Sequence, residues 1–448
     1  MRQVHKEGLV STAADIDPRR ALRAGTMSAF QVGIITVCVL IAGLDGFDVL
    51  VVAFTATVLA NEWMLSPSAL GVVLSAGLAG MGLGALVMGP AGDRLGRRPA
   101  VLLCLIGLAV GMALSAVATS VGLFAATRFF TGLWIGGVLA NINIVVVEYS
   151  SDRRRKLCVA LMTLGYPIGA TLGGLAAVYL LSASGWRSVY WFGAAAAVVL
   201  FPLAWIRTPE SLDFLLARRP AGALDALNRI LTRIGQRPLD ALPDVGRRDA
   251  HVSPLAVFSP AYRTQMVAAC AAYFCVMMTA YFLLSWTPRT LTELGLSAAG
   301  GVSGSILMNI GGAIGCILYG LAAGALGARR LATFFTVGLF VTATLFGFLP
   351  AAPGALMLGA LAVGFCLYAS INVLYAIVPE TFPPDIRTTG TGWAMSVGRV
   401  GAVAGPSLAG VLIDAGWSRP SYFAALGVPM LLAAVCLRWI RPAAQNQP

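Results

Sequence analysis

Four ionisable residues of this 448-residue chain lie inside long apolar stretches: Asp45, Asp48, Arg128 and Arg399. A charged side chain in the middle of a helix that crosses a bilayer costs about 2.5–3.5 kcal/mol, so each is a candidate functional residue. Asp45 and Asp48 are three positions apart and share one face of a helix. Two carboxylates this close in a low-dielectric site do not both ionise easily. The pair is therefore a candidate proton-binding site, unless one of the two only balances Arg128.

The two buried arginines suggest different roles. Arg128 could clamp a substrate, couple to the acids or act as a structural counter-ion, and we expect it to be the coupling partner of Asp45 and Asp48. Arg399 has glycines close on both sides. Its guanidinium stays protonated and can hold a carboxylate through two parallel hydrogen bonds. We expect Arg399 to bind an anionic substrate; the alternative is a permanent ion pair with Asp45 or Asp48.

Uncharged polar and aromatic side chains in the same stretches could line a binding cavity and stack on an aromatic ring. We expect Asn141, Phe47 and Trp393 to contact the substrate together with Arg399. For each of them the alternative is helix packing or anchoring at a membrane interface. Further side chains of this kind are Asn143, Asn309, Asn372, Tyr281, Tyr368 and Tyr375.

Composition predicts the elements that must position these residues. The chain is 58% hydrophobic and 11% charged, with a mean hydropathy of +0.82, whereas soluble domains carry about 25% charged residues. A helix that crosses a bilayer needs about 20 apolar residues. Twelve such runs are present, so we predict an all-α membrane protein with twelve transmembrane helices. They lie at 30–59, 67–90, 98–119, 121–147, 157–182, 188–206, 264–286, 298–325, 331–349, 353–378, 388–412 and 420–440.

Basic residues predict the orientation and the domain plan. Of 31 Lys and Arg residues, 26 fall on one side of the predicted membrane, three on the other and two within spans. Cytoplasmic loops carry such an excess, so both termini are expected in the cytoplasm. We predict two six-helix bundles, at 30–206 and 264–440, with an N-terminal tail at 1–29, a cytoplasmic linker at 207–263 and a C-terminal tail at 441–448.

The linker should contain a short amphipathic helix. Leu224, Leu227, Leu231 and Ile234 recur at helical spacing, with arginines between them. This pattern favours a helix that lies on the inner membrane surface as a solvated linker element. Partner binding is the alternative.

The two predicted bundles carry an internal repeat. The stretch GPAGDRLGRR at 89–98 aligns with GLAAGALGAR at 320–329, 231 residues later. A second match has an offset of 232 residues and pairs Glu148, Arg155, Gly169 and Gly173 with Glu380, Arg387, Gly401 and Gly405. Two matches with nearly the same offset indicate the duplication of a six-helix unit. Transporters built from such parallel repeats bind their substrates near the bilayer midplane, between the repeats.

The longest motifs resemble the signatures of the major facilitator superfamily: GPAGDRLGRRP at 89–99 and RFFTGLWIGG at 128–137. Within it, the chain is most similar to the aromatic acid:proton symporter family. Four stretches carry this likeness: DGFD at 45–48, Asn141 with EY at 148–149, TPESLDFL at 208–215 and GWAMSVGRVG at 392–401. Two departures are Ala140, where a proline is expected, and Pro167 inside the fifth helix.

The resemblance implies the major facilitator fold, two pseudo-symmetric six-helix bundles, and a proton-coupled importer of aromatic carboxylates such as benzoate or hydroxybenzoate that works by alternating access. Another mono- or dicarboxylate, or proton-coupled drug export, is the alternative. The resemblance also implies a gate in which Asp93 docks on the N-terminal end of helix eleven when the inner side closes. Glu148 joins this gate, or else forms a surface ion pair with nearby arginines. The other gate residues are Gly89, Gly92, Gly96 and Arg97.

Other classes of function are disfavoured by what the sequence lacks. No GxxxxGK[ST] loop is present to drive an ATP-powered pump, and no nucleophile or metal constellation points to an enzyme. The two histidines, His5 and His251, lie in hydrophilic stretches, and the eight cysteines are isolated. We expect no cofactor, metal or nucleic-acid partner. The expected partners are the organic acid, protons and lipid, for a chain that works as a monomer in a bacterial inner membrane.

Overall fold

The computed structural model describes residues 18–243, 256–260, 262–383 and 386–440. Within these ranges the chain forms sixteen α-helices and one 3-10 turn at Ala256–Phe258. The α-helices are α1 Pro18–Ala24, α2 Ala29–Glu62, α3 Pro67–Leu95, α4 Arg97–Ala116, α5 Val121–Tyr149, α6 Arg155–Ser184, α7 Trp186–Arg207, α8 Leu212–Arg218, α9 Ala223–Arg233, α10 Arg263–Glu293, α11 Ala298–Leu326, α12 Ala328–Phe348, α13 Pro353–Glu380, α14 Arg387–Asp414, α15 Arg419–Gly427 and α16 Pro429–Trp439.

Twelve segments are long and apolar enough to cross a membrane. They are α2 to α7, α10 to α14, and α15 with α16 as one span that is interrupted at Pro429. The prediction of twelve spans is therefore confirmed. Helix α1 lies in the predicted N-terminal tail, where no helix was expected. The histidines and the tail at 441–448 lie outside the described residues.

Local sequence sets where the spans begin and turn. Ser66, Ser120 and Ser297 each cap the first turn of a span by accepting a hydrogen bond from a backbone N–H. Gly96 and Gly327 form the tight connections after α3 and α11, with φ of 102° and 82°. Residues with a Cβ rarely adopt this conformation, so glycine is needed at both places.

The internal repeat is visible in the helix packing. A Cβ on Gly169 would lie 1.9 Å from the carbonyl oxygen of Gly43, and one on Gly401 would lie 2.3 Å from that of Phe274. Both members of the first contact recur in the second, 231 or 232 residues later. Such close approach requires glycine, and the same helix pair, first with fifth, is packed in the same way in each half. The duplication predicted from the sequence thus has a structural counterpart.

The two halves meet at the side of the molecule opposite to the linker, here called the far side. Ser75 in α3 donates to the carbonyl of Val403 in α14 at 2.8 Å and accepts from Ser407 at 2.8 Å. Thr57 and Thr292 join α2 to α10 at 2.9 Å. At the linker side, no hydrogen bond or ion pair connects the two halves among the residues that the structure describes. The molecule is thus closed at the far side.

Helix α9 differs from its predicted setting. The helix forms as expected, but the chain itself buries its apolar residues Leu227, Ile230 and Leu231. The Arg233 guanidinium stacks over the ring of Phe30, 5.2 Å from its centroid. The prediction of a solvated helix lying on the membrane surface is therefore wrong. Helix α9 packs on the N-terminal half because its leucine face finds apolar partners there.

Candidate functional site

Asp45 and Arg399 come together between the two halves. Asp45 lies 16 residues into α2, about 24 Å along the axis, and Arg399 lies 12 residues into α14, about 18 Å along it. The Asp45 carboxylate is 2% exposed, and its Oδ1 has no hydrogen-bond partner among the described residues. Arg399 is the first of its charged neighbours and Asp48 the second. An anion site and a proton site can therefore share this central position.

Arg399 is half-buried and has no carboxylate partner within 4.0 Å among the described residues. Its Nη1 lies 3.0 Å from the Met81 sulfur, across the interface with the first half. Its neighbours with charge or hydroxyl groups are Tyr281, Tyr375, Asp45 and Tyr166. The predicted alternative, a permanent ion pair with one of the acids, is not formed. A guanidinium in this setting keeps donors available for a carboxylate.

Tyrosine hydroxyls surround this central position. Tyr166 of α6 has Tyr281, Tyr368, Asp45 and Arg399 as its polar neighbours, and its own hydroxyl is buried without a hydrogen-bond partner among the described residues. On the opposite wall, Tyr368 donates to the Asn309 side-chain oxygen at 2.5 Å. The site is thus lined by aromatic rings that carry hydrogen-bonding groups.

Asp48 and Arg128 form a buried ion pair within the N-terminal half. Arg128 Nη2 donates to Asp48 Oδ2 at 2.8 Å, and the two side chains are only 2% and 3% exposed. The same nitrogen donates to the Asp48 carbonyl at 3.2 Å, and the guanidinium lies 5.7 Å from the centroid of the Tyr190 ring. Asp48 therefore balances Arg128, as the sequence alternative had it, whereas Asp45 has no such partner.

The predicted gate residues assemble at the linker-side end of the first half. Arg97 pairs with Asp93 one helical turn earlier, and its Nη1 donates to Asn141 Oδ1 at 2.9 Å. Glu210 accepts from the backbone N–H of Arg97 at 2.6 Å. Its carboxylate thereby neutralises the N-terminus of α4, where the helix dipole is positive.

The gate glycines differ in their surroundings. Gly92 lies against Asn141, where a Cβ would be 2.0 Å from Oδ1, and Gly96 lies against Glu210, where a Cβ would be 2.4 Å from Oε2. Gly89 has open space around it. Asp93 is 63% exposed and makes no contact with α14 among the described hydrogen bonds and ion pairs. Its proposed docking on helix eleven belongs to a state other than the one seen here.

Glu148 is not a surface residue. It is 9% exposed and accepts a hydrogen bond from Ser211 Oγ at 2.9 Å. The alternative of an ion pair with the arginines at 153–155 is wrong for the described residues, because none of them lies within 4.0 Å of its carboxylate. The structure instead ties the end of α5 to the start of α8.

Three predicted substrate contacts lie elsewhere. Asn141 is fully buried and bonds to Arg97, Gly137 and Met88, so its amide holds α5 against α3. Phe47 packs on Gly173 and lies edge-on to Phe192 inside the N-terminal half.

Trp393 is 41% exposed near the linker end of α14 and lies edge-on to Phe258. None of the three is a neighbour of Arg399. The prediction that they bind substrate is therefore corrected: helix neighbours, not residue type, decide which side chains reach the centre.

Two residues of the site were not singled out by the sequence. Tyr166 adjoins Pro167, whose departure from the family pattern was noted without its consequence. Glu210 lies in the TPESLDFL motif, and its spacing after the sixth span was a usable signal. Tyr281, Tyr368, Tyr375 and Asn309 had been grouped with many other polar residues of the spans, without a means to separate them.

A groove on the outer surface contrasts with the central site. It has a volume of about 580 Å³ and lies between α10, α14 and α16. It is lined by apolar side chains such as Met266, Phe274 and Leu432. Such a lining offers no donors to an organic acid, so the groove is not the substrate site.

Comparison with known proteins identifies relatives along the whole chain. The profile of the Major Facilitator Superfamily matches residues 35–354 and 317–448. A gallate transporter of Pseudomonas putida is 33% identical over 95% of each chain. The 4-hydroxybenzoate transporter PcaK of Acinetobacter baylyi is 29% identical over 95% of this chain and 94% of its own. The xylose transporter XylE from E. coli, in an inward open conformation, has a TM-score of 0.72 at 17% identity and covers 92% of this chain and 96% of that one.

Proposed function

This chain belongs to the Major Facilitator Superfamily, and from that premise we propose that it is a proton-coupled importer of small organic acids, with aromatic carboxylates as its substrates. The superfamily consists of transporters rather than enzymes, and its fold works by alternating access between two halves. The relatives named for gallate and 4-hydroxybenzoate transport support the substrate class.

Arg399 carries the proposal for the substrate. It projects from α14 into the centre of the molecule, without an ion-pair partner among the described residues and with tyrosines around it. An unpaired guanidinium at this depth is costly. An arriving carboxylate would offset that cost through two parallel hydrogen bonds, while the tyrosine rings stack on an aromatic ring.

Asp45 is our candidate for the coupled proton. Its carboxylate is buried, has an unpartnered oxygen and faces Arg399 rather than a dedicated counter-ion. Protonation removes a charge whose burial is costly. In the proposed cycle, Asp45 takes up a proton from the far side, the acid binds Arg399, and the far side closes. The Asp48–Arg128 pair supports the fold beside it, although the sequence suggested coupling for all three residues.

The linker-side network is proposed to control the opening of the inner side. Asp93 and Arg97 lie in the loop between α3 and α4, and Glu210 and Glu148 anchor that loop to the linker. When the linker side closes, Asp93 would dock on the N-terminus of α14, where the helix dipole attracts a carboxylate.

The setting of the protein is part of the proposal. The 26 basic residues on one side support a bacterial inner membrane with both termini and the linker in the cytoplasm. The protein would then work as a monomer with acid, proton and lipid as its partners. Another carboxylate, or proton-coupled export, is the second candidate within the same fold.

Binding to the purified protein tests the substrate class. Wild type should bind benzoate and 4-hydroxybenzoate, Arg399→Lys should bind them more weakly because it loses the planar fork, and Arg399→Ala should not bind them. Arg438→Ala, an exposed arginine at the linker-side end of α16, is the matched control and should bind as wild type does. Wild-type affinity in Arg399→Ala would rule out the clamp.

A further inference from the structure

We propose that Tyr166, together with Tyr368 and Asn309, forms a subsite that recognises a hydroxyl group on the ring of the bound acid. The inference rests on the proposed function, since it assumes that Arg399 holds the carboxylate. It adds the chemical class of the substrate: phenolic carboxylates rather than unsubstituted ones.

A series of hydroxyl groups leads away from Arg399. Tyr281 is the first neighbour of the guanidinium, and it is also a neighbour of both Tyr166 and Tyr368. Tyr166 approaches from the N-terminal half and Tyr368 from the C-terminal half. A ring whose carboxylate is bound by Arg399 would therefore point its other end between residues of both halves.

The wall contributed by the second half has a defined hydrogen-bond polarity. Tyr368 donates its hydroxyl proton to Asn309 Oδ1 at 2.5 Å, and Asn309 Nδ2 donates to the Ser305 carbonyl at 2.9 Å. Because the proton of Tyr368 is committed, its oxygen is left as an acceptor. Asn309 is 1% exposed, so this orientation is set by the interior of the protein.

The wall contributed by the first half supplies the complementary group. The Tyr166 hydroxyl is buried and has no hydrogen-bond partner among the residues described. Buried hydroxyls are normally hydrogen-bonded, so an unpartnered one that faces a binding site points to a ligand. A phenolic hydroxyl can accept from Tyr166 while it donates to Tyr368. A carboxylate is an acceptor only and cannot satisfy both.

Both tyrosines are held in place by glycine contacts. A Cβ on Gly46, next to Asp45, would lie 2.0 Å from the Tyr166 carbonyl oxygen, so α6 is pressed onto α2 at this point. The Tyr368 ring lies in a notch at Gly312, where a Cβ would be 2.1 Å from Cδ2. Sites placed on rigid helices in this way discriminate well, since a missing substrate hydroxyl leaves buried protein groups unpaired.

The test compares benzoate with 4-hydroxybenzoate, through the ratio of their inhibition constants in competition binding to purified protein. We expect wild type to prefer 4-hydroxybenzoate about 10- to 100-fold. Tyr166→Phe and Tyr368→Phe should each reduce this ratio about tenfold, through weaker binding of 4-hydroxybenzoate at similar benzoate affinity. Tyr319→Phe removes another buried, unpartnered hydroxyl, in a tyrosine that packs on Phe335; it should leave the ratio unchanged.

An unchanged ratio in Tyr166→Phe and Tyr368→Phe, with melting temperatures as in wild type, would overturn the subsite. A role of Tyr166 in proton coupling alone would give that same unchanged ratio, because it affects both acids alike. Should wild type bind the two acids equally, the subsite fails while the proposed function stands. Should wild type bind neither acid, the proposed function fails, and the subsite with it.

Discussion

Replacing Asp48 should damage the fold, whereas replacing Asp45 should not. Asp48 lies 2.8 Å from Arg128 in a pair whose side chains are 3% and 2% exposed. Removing one partner of a buried ion pair leaves an uncompensated charge and costs about 3–5 kcal/mol. Asp45 has no ion-pair partner among the described residues, so Asp45→Asn removes no comparable contact.

The expected loss can be read as a melting temperature. In a domain of this size each kcal/mol shifts the midpoint by about 2–4 °C, so Asp48→Asn should melt about 6–20 °C below wild type. Tryptophan fluorescence of purified protein in detergent measures this, since the chain has 9 tryptophans. Asp45→Asn should melt within a few degrees of wild type.

A double variant separates the unpaired charge from other effects. Asp48→Asn with Arg128→Met leaves no charge in the site, and buried pairs exchanged for apolar groups are often neutral or stabilising. The double variant should therefore regain most of the lost stability. A wild-type melting temperature in Asp48→Asn, or a deeper loss in Asp45→Asn, would refute the assignment of Asp48 as the counter-ion of Arg128.

Three further predictions concern orientation and gating. In a cysteine-free background, Arg229→Cys on the exposed face of α9 should be sealed from impermeant reagents in intact cells; labelling there would reverse the orientation. Asp93→Asn should bind substrate normally but turn over several-fold more slowly, because the latch on α14 is weakened, and unchanged transport would reduce Asp93 to a loop residue. Gly410→Ala places a Cβ 2.4 Å from the Pro67 carbonyl oxygen and should slow transport by hindering far-side closure. Gly392→Ala in the same helix meets open space and should not; equal rates would remove far-side closure from the cycle.

The sequence predicts the architecture of this protein better than its central site. Span length and hydropathy sufficed for twelve helices, and glycine spacing revealed the repeat, because both depend on the bilayer and on close helix packing. The charged residues of the spans were also found directly, since few apolar helices tolerate them.

The partners of these residues could not be predicted. Helix α5 is apolar on all sides, so nothing in its periodicity shows that Asn141 faces α3 rather than the centre. Glu148 bonds to Ser211, 63 residues away, and Tyr166 reaches Arg399 only because α6 and α14 belong to facing halves. Such pairings follow from the tertiary arrangement of helices rather than from local spacing.

The central claim is that a proton taken up at Asp45 drives the accumulation of an aromatic acid. Accumulation of labelled 4-hydroxybenzoate in proteoliposomes under an imposed pH gradient, acidic outside, tests it most directly. Wild type should accumulate the acid above equilibrium and lose it when a protonophore is added. Asp45→Asn should exchange labelled for unlabelled acid across the membrane without accumulating it, because its side chain can no longer gain or lose a proton. Gradient-driven accumulation by Asp45→Asn at the wild-type level would contradict the account.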